Sequence, residues 1–148
     1  MMVAIDPGKH ASGWAVFIEG KLTSCGFTND WRQVWCSYMR CPPLKLAIIE
    51  APRVYDRRRW KGDPNDLIDI SIAGGILVGA LRPEEIKIIR PQDWKGQTPK
   101  DIQAERTLAK LTEAERMQIE GVTTKSKLHN VIDAVGIGLW ELKRCQTR

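Results

Sequence analysis

Four consecutive apolar residues, Leu46-Ala47-Ile48-Ile49, run directly into a carboxylate, Glu50, and then into Ala51-Pro52. Alternate side chains of a strand point to opposite faces, so an unbroken apolar run needs cover on both. Helices provide that cover in an α/β body, and this segment therefore restricts the chain to that class. The opening repeats the pattern: residues 2–5 are apolar and Asp6 ends them. Strands are expected at Met2–Asp6, 13–19 and Lys21–Thr28, with Glu19-Gly20-Lys21 as the tight turn of an antiparallel meander. Two more follow, at 44–50 and 85–90, the second stopped by Pro91.

Between the strands the spacing turns helical. Asn29 and Asp30 can cap a helix carrying Trp31, Val34, Trp35, Tyr38 and Met39 on one face, and Cys41-Pro42-Pro43 ends it. Asp63-Pro64 opens a helix to Leu81 whose apolar side is read as Leu67, Ile68, Ile72, Ile76 and Leu77. Its small residues Ala73, Gly74, Gly75 and Gly79 permit another backbone to come close. Helices are also expected at 100–110, at 113–119 behind the capping box of Thr112 with Glu115, and at 127–144. The expected fold is one domain over residues 1–148, a mixed five-stranded sheet flanked by helices, with strands one to three antiparallel and strands four and five parallel. If strand four lies beside strand one, right-handed crossover makes them parallel, and Asp6 and Glu50 become neighbours at one edge.

At 148 residues, 43% of them hydrophobic, the chain can bury one core. No run reads as the roughly 18 apolar residues of a bilayer span, and Asp6 comes too early for a secretory core, so a soluble, cytoplasmic protein is expected. Cys25, Cys36, Cys41 and Cys145 show neither a CxxC pair nor zinc spacing, and reduced thiols are expected. The formal charge of +5 is concentrated. Residues 53–61 hold Arg53, Arg57, Arg58, Arg59 and Lys61 against the lone carboxylate Asp56, with Tyr55 and Trp60 among them. Most charge runs are solvated loops, but cations interleaved with aromatics suit phosphates together with bases that can be stacked upon.

Three acids sit where a charge is out of place. Asp6 and Glu50 end apolar strands, and Asp133 lies one turn inside an amphipathic helix beside Ile132, Ala134 and Val135. Carboxylates gathered in a half-buried site repel one another unless a cation lies between them. Oxygen-rich sites of this kind suit Mg2+ or Mn2+, and a pair of such ions can clamp the attacking and leaving oxygens of a phosphodiester displacement. Each acid alone has a plainer reading: Asp6-Pro7-Gly8 as a turn, Glu50 as a solvated strand end, Asp133 as a partner of Lys127 or Arg144. Their order along the chain, with His129 and Asn130 one turn before Asp133, favours a joint site.

The segments Ala4-Ile5-Asp6-Pro7-Gly8 with Gly13-Trp14-Ala15-Val16, Ala47-Ile48-Ile49-Glu50, and Asp133-Ala134 in a final helix resemble the RuvC-type Holliday junction resolvases of the RNase H-like superfamily, bacterial or phage-borne. The resemblance follows nearly the whole chain in order, including the small-residue helix around residues 73–80, which in that family lies near the dimer interface. It implies a crossover junction endodeoxyribonuclease of DNA recombination and repair. It also implies two Mg2+ or Mn2+ ions per site, a homodimer, four-way junction DNA as partner, and a bacterial or phage-infected cytoplasm. Asp6, Glu50 and Asp133 match three of the family's four metal ligands. The fourth stands three residues before the last aspartate; that place holds Asn130, with His129 one earlier, and imidazole makes His129 the better candidate as ligand or general acid/base. Lys95 and Lys100 fall where the family carries basic residues near the scissile phosphate, and Tyr55 and Trp60 where it places residues that enter an opened junction. The alternatives are the same chemistry on flaps, forks or RNA, and a DNA-binding module that does not cleave. An actin-like or sugar-kinase ATPase is disfavoured, since no second phosphate loop accompanies Asp6-Pro7-Gly8.

Overall fold

The structure is a computed structural model and describes residues 1–30, 32, 34, 43–53, 63–122 and 127–144. Strands β1 (Met2–Asp6), β2 (Ser12–Ile18), β3 (Lys21–Thr28), β4 (Leu46–Glu50) and β5 (Glu85–Ile89) form one sheet in the order β3-β2-β1-β4-β5. Pairing is antiparallel from β1 to β3 and parallel from β1 through β4 to β5, the mixed sheet expected from sequence. The β2–β3 hairpin turns through Glu19 (φ 51°) and Gly20 (φ 77°), two left-handed residues in a row, the turn that follows the twist of the strands.

Helices α1 (Pro64–Leu81), α2 (Pro91–Trp94), α3 (Lys100–Ala109), α4 (Glu113–Glu120) and α5 (Leu128–Glu141) complete the described elements. Of the helix expected from Asn29 onward only Arg32 and Val34 are described; both are helical, and Val34 is fully buried. The sheet parts the core in two. Val3, Ile5, Trp14, Val16 and Ala47 point toward Leu77, Val78 and Leu81 of α1. Met2, Ala4, Ala15, Phe17 and Ile48 point the other way, to Val135, Ile137 and Leu139 of α5. Both β1 and β4 are thus covered on both faces, as their apolar runs require. The α5 backbone lies against β2 so closely that a Cβ on Gly13 would stand 2.0 Å from the Asn130 carbonyl oxygen. Cys25 is half-buried and carries a free thiol, which burial pushes up to about 12; the other three cysteines lie outside the described residues.

Two expectations are corrected. The apolar side assigned to α1 packs only in part: Leu77 is buried, together with Gly74, Val78 and Leu81, whereas Ile68, Ile72 and Ile76 are 57%, 55% and 59% exposed. Apolar residues surround this helix, so periodicity alone does not say which stripe meets the sheet. The same helix is long and apolar enough to cross a membrane, contrary to the expectation that no run reaches that measure. Its buried stripe rests on the sheet, and Asp66 and Asp69 of its first turns pair with Lys9.

Candidate active site

Period-two geometry brings the acids to one place. On β1, Met2 and Ala4 face α5, so Asp6, two residues on, faces it as well; on β4, Ile48 faces α5, and so does Glu50. Ile5 pairs with Ile49 in parallel register, which puts the two acids side by side at the carboxyl edge of the central strands. Helix α5 passes over that edge with Asp133 buried in its second turn.

A cation joins two of the three. The Lys95 ammonium lies 3.3 Å from Glu50 Oε2 and 3.5 Å from Asp133 Oδ2. It also sits 4.7 Å from the centre of the Trp94 ring. Burial by itself lowers the Lys95 pKa, but Asp133, Glu50 and Asp6 outweigh it and hold the ammonium above its usual value. Lys95 is thus held between two acids rather than turned to solvent. Asp6 shows the opposite strain. Burial first, then the charges of Asp133 and Glu50, push its carboxyl well above the aspartate range, against the pull of Lys95 and Lys100. Among the described residues no three His, Cys, Asp or Glu side chains are gathered tightly enough to hold a metal ion. The donors that face the edge are hard carboxylate oxygens of mutually repelling acids, the chemistry that suits Mg2+ or Mn2+.

The remaining candidates divide by what they touch. Asn130 Nδ2 donates to the Ala11 carbonyl oxygen at 3.0 Å, tying α5 to the loop between β1 and β2. His129 is exposed and shares a cavity of about 400 Å3 with Asp133, Lys100 and Asp101. Burial and then the nearby Lys100 lower its pKa, with Asp133 acting in the other direction, so the ring is mostly neutral at neutral pH. Arg53 is exposed, and its Nη1 donates to Gln92 Oε1, linking the exit of β4 to α2. Tyr55, Arg57, Arg58, Arg59, Trp60 and Lys61 lie outside the described residues.

One participant was not singled out from sequence. Trp94 is buried, and its indole Nε1 donates to Glu50 Oε2. Helix α2, a single turn, returns the chain from the end of β5 so that this ring meets the end of β4. The bond Arg90 N to Asp93 Oδ2, 2.7 Å, and the bond Lys95 N to the Pro91 carbonyl, 3.0 Å, close that turn.

Neither a protein-family model nor a curated protein sequence matches the chain. Solved structures do. Fowlpox virus resolvase in complex with substrate Holliday junction DNA superimposes with a TM-score of 0.58 at 18% identity, over 97% of this chain and 99% of that one. The Thermus thermophilus RuvC in complex with a Holliday junction substrate gives 0.51 at 16% identity, over 93% and 90%. A second Thermus thermophilus RuvC structure gives 0.50 at 13% identity, over 97% and 96%. At these identities the likeness establishes the fold: the mixed five-stranded sheet flanked by helices is the architecture of these resolvases over nearly their full length.

Proposed function

We propose that this chain is a divalent-metal-dependent endodeoxyribonuclease that resolves four-way DNA junctions by phosphodiester hydrolysis. The observation that carries the proposal is the meeting of Asp6, Glu50 and Asp133 on one face at the carboxyl edge of the central parallel strands. It has weight because two structures with the same fold are complexes with Holliday junction DNA. A purely DNA-binding surface gains nothing from carboxylates beside phosphates, since they repel the backbone they are meant to hold.

In this reading Asp6, Glu50 and Asp133 would hold Mg2+ or Mn2+ once drawn in around it, with His129 as the fourth group. Asn130 is engaged by Ala11 and is the weaker candidate. The chemistry a divalent ion would supply there is acidification of a water and stabilisation of negative charge on the departing oxygen. The protein supplies the rest. Lys95 and Lys100 bring positive charge to the phosphate, and His129, mostly neutral, is fit to ligate or to accept a proton. The basic segment 53–61 grips converging phosphates through Arg53, Arg57, Arg58, Arg59 and Lys61, while Tyr55 or Trp60 stacks on an unpaired base.

Resolution requires cuts in two symmetric strands, and a homodimer supplies two equal sites at a fixed separation. The exposed Ile68, Ile72 and Ile76 of α1 support this, as does the open space over Gly75 and Gly79, where an added Cβ meets nothing within 4 Å. The working compartment in this reading is the cytoplasm of a bacterium or of a phage-infected host. The test is incubation of the purified protein with a synthetic four-way junction, a matched duplex, a flap and an RNA hairpin, each with Mg2+, Mn2+ or EDTA. Paired symmetric nicks in the junction alone, abolished by EDTA, are expected. Preferential cutting of the flap or the RNA moves the substrate elsewhere, and tight junction binding without any cleavage overturns the enzyme.

A further inference from the structure

We propose that Trp94 is a positioning residue that fixes the Glu50 carboxylate and ties it to the helix bearing Asp133. A glutamate at a strand end has three rotatable side-chain bonds, and nothing in β4 itself selects where its oxygens point. The Trp94 indole selects: its Nε1 donates to Oε2 of Glu50, a neutral donor that orients the carboxylate without discharging it. The ring in turn is held from the other side. A Cβ on Gly136 would come within 2.7 Å of Cζ3 and 3.2 Å of Cη2 of the indole, so the α5 backbone itself forms the wall of the ring's pocket. Gly136 lies three residues beyond Asp133, on the same side of α5.

One side chain therefore spans two of the three elements that carry the acids, β4 and α5. Its N–H reads the end of β4 and its ring reads α5, while the next residue, Lys95, bridges the two carboxylates themselves. The closed single turn of α2 makes the spacer rigid. Phenylalanine in this place keeps an aromatic ring in the pocket, short of the indole's outer edge at Gly136, and leaves the Glu50 oxygen without that donor.

The metal arm of the test rests on the nuclease reading; the spectroscopic arm does not. Indole-15N spectra are recorded in EDTA for the wild type, Trp94→Phe and Glu50→Gln. The protein has six tryptophans, and the signal lost in Trp94→Phe identifies Trp94. That signal is expected to move upfield in Glu50→Gln, where the charge-assisted bond weakens. Calorimetric titration with Mn2+ in the absence of DNA is expected to give a dissociation constant about tenfold or more higher for Trp94→Phe, the usual scale for removing a group that orients a metal ligand. Gly136→Ala, which displaces the ring while keeping the N–H, is expected to weaken Mn2+ similarly. An indole signal indifferent to Glu50→Gln overturns the proposal, and so does an unchanged Mn2+ affinity in Trp94→Phe. If the wild type takes up no Mn2+, the metal reading of the acids falls, and the indole response alone decides for or against Trp94.

Discussion

Asp6 sits where burial and two neighbouring acids disfavour its charge. Its folded pKa is raised by burial and by Asp133 and Glu50, so the folded state holds the proton more tightly than the unfolded one. Stability of the metal-free protein accordingly falls as pH rises from the ordinary aspartate value of about 3.9 through the higher folded value, and the penalty is complete above it. Asp6→Asn removes that penalty. In EDTA at neutral pH its Tm is expected to exceed the wild type's, by about 2 to 4 °C for each kcal/mol relieved, while Mn2+ no longer shifts it. A lower Tm in calorimetry defeats this account of the site. His129 and Asn130 part in the same way. His129→Ala is expected to lose most cleavage at little cost in stability. Asn130→Ala is expected to keep cleavage and lose about 1 kcal/mol with the Ala11 hydrogen bond. The opposite ranking in paired activity and denaturation assays hands the role to Asn130. The position of the acids was readable because an acid ending an apolar strand is a local anomaly. Trp94 and Lys95 were not readable in their contacts, because a tryptophan spells core in any sequence, and only the α2 turn decides that its N–H meets Glu50.

Elements were legible in proportion to how much of their reason is local. The start of α1 is written in Asp63-Pro64: the Asp63 carboxylate accepts from Asn65 N at 2.9 Å, and Pro64 has no N–H to leave unpaired. Its facing was not, since which isoleucines meet the sheet is settled by the partner surface. Helix α2 escaped notice because four residues are too few to show a period. The capping box of α4 was visible in Thr112 and Glu115, but the same carboxylate does more than cap. Buried Glu115 accepts from both Nη atoms of Arg144, at 2.7 and 2.8 Å, and from Leu22 N at 2.9 Å, so it joins β3, α4 and the turn after α5. Arg144 first of all, then the backbone donors, hold its carboxyl well below the glutamate range despite burial. The linkage sign follows from a depressed folded pKa: the stabilisation is present above the ordinary value of about 4.3 and is lost as pH falls toward the depressed one. Glu115→Gln is expected to cost about 3 kcal/mol at pH 7, since it strips a half-buried guanidinium of its charge partner. The gap from wild type should narrow as unfolding is followed toward acid. A gap that is independent of pH assigns Glu115 a role in packing only.

For the molecule as a whole, the class of fold was legible from two strand segments, and the surface it presents was not. The isoleucine stripe of α1 lies outward, and Ile86 and Ile88 of β5 are 52% and 68% exposed as well. Covering it is the plainest use for so much apolar area, and Ile72→Glu with Ile76→Glu is expected to raise the dimer dissociation constant by about a thousandfold or more. Light scattering then gives a monomer whose junction products are single, unpaired nicks. A wild type that is already monomeric, free and on the junction, defeats this prediction. The order in which the sheet is assembled has a consequence in time. Asp6 belongs to the first strand, Glu50 to a parallel partner that follows a whole meander, and Asp133 to the last described helix. Such distant segments pair late, because loop closure must precede the contacts that reward it. A nascent chain still holding α5 inside the ribosome has at most two of its three acids in place. On the nuclease reading, the three acids therefore cannot act together on DNA until α5 has left the ribosome and packed over the sheet edge.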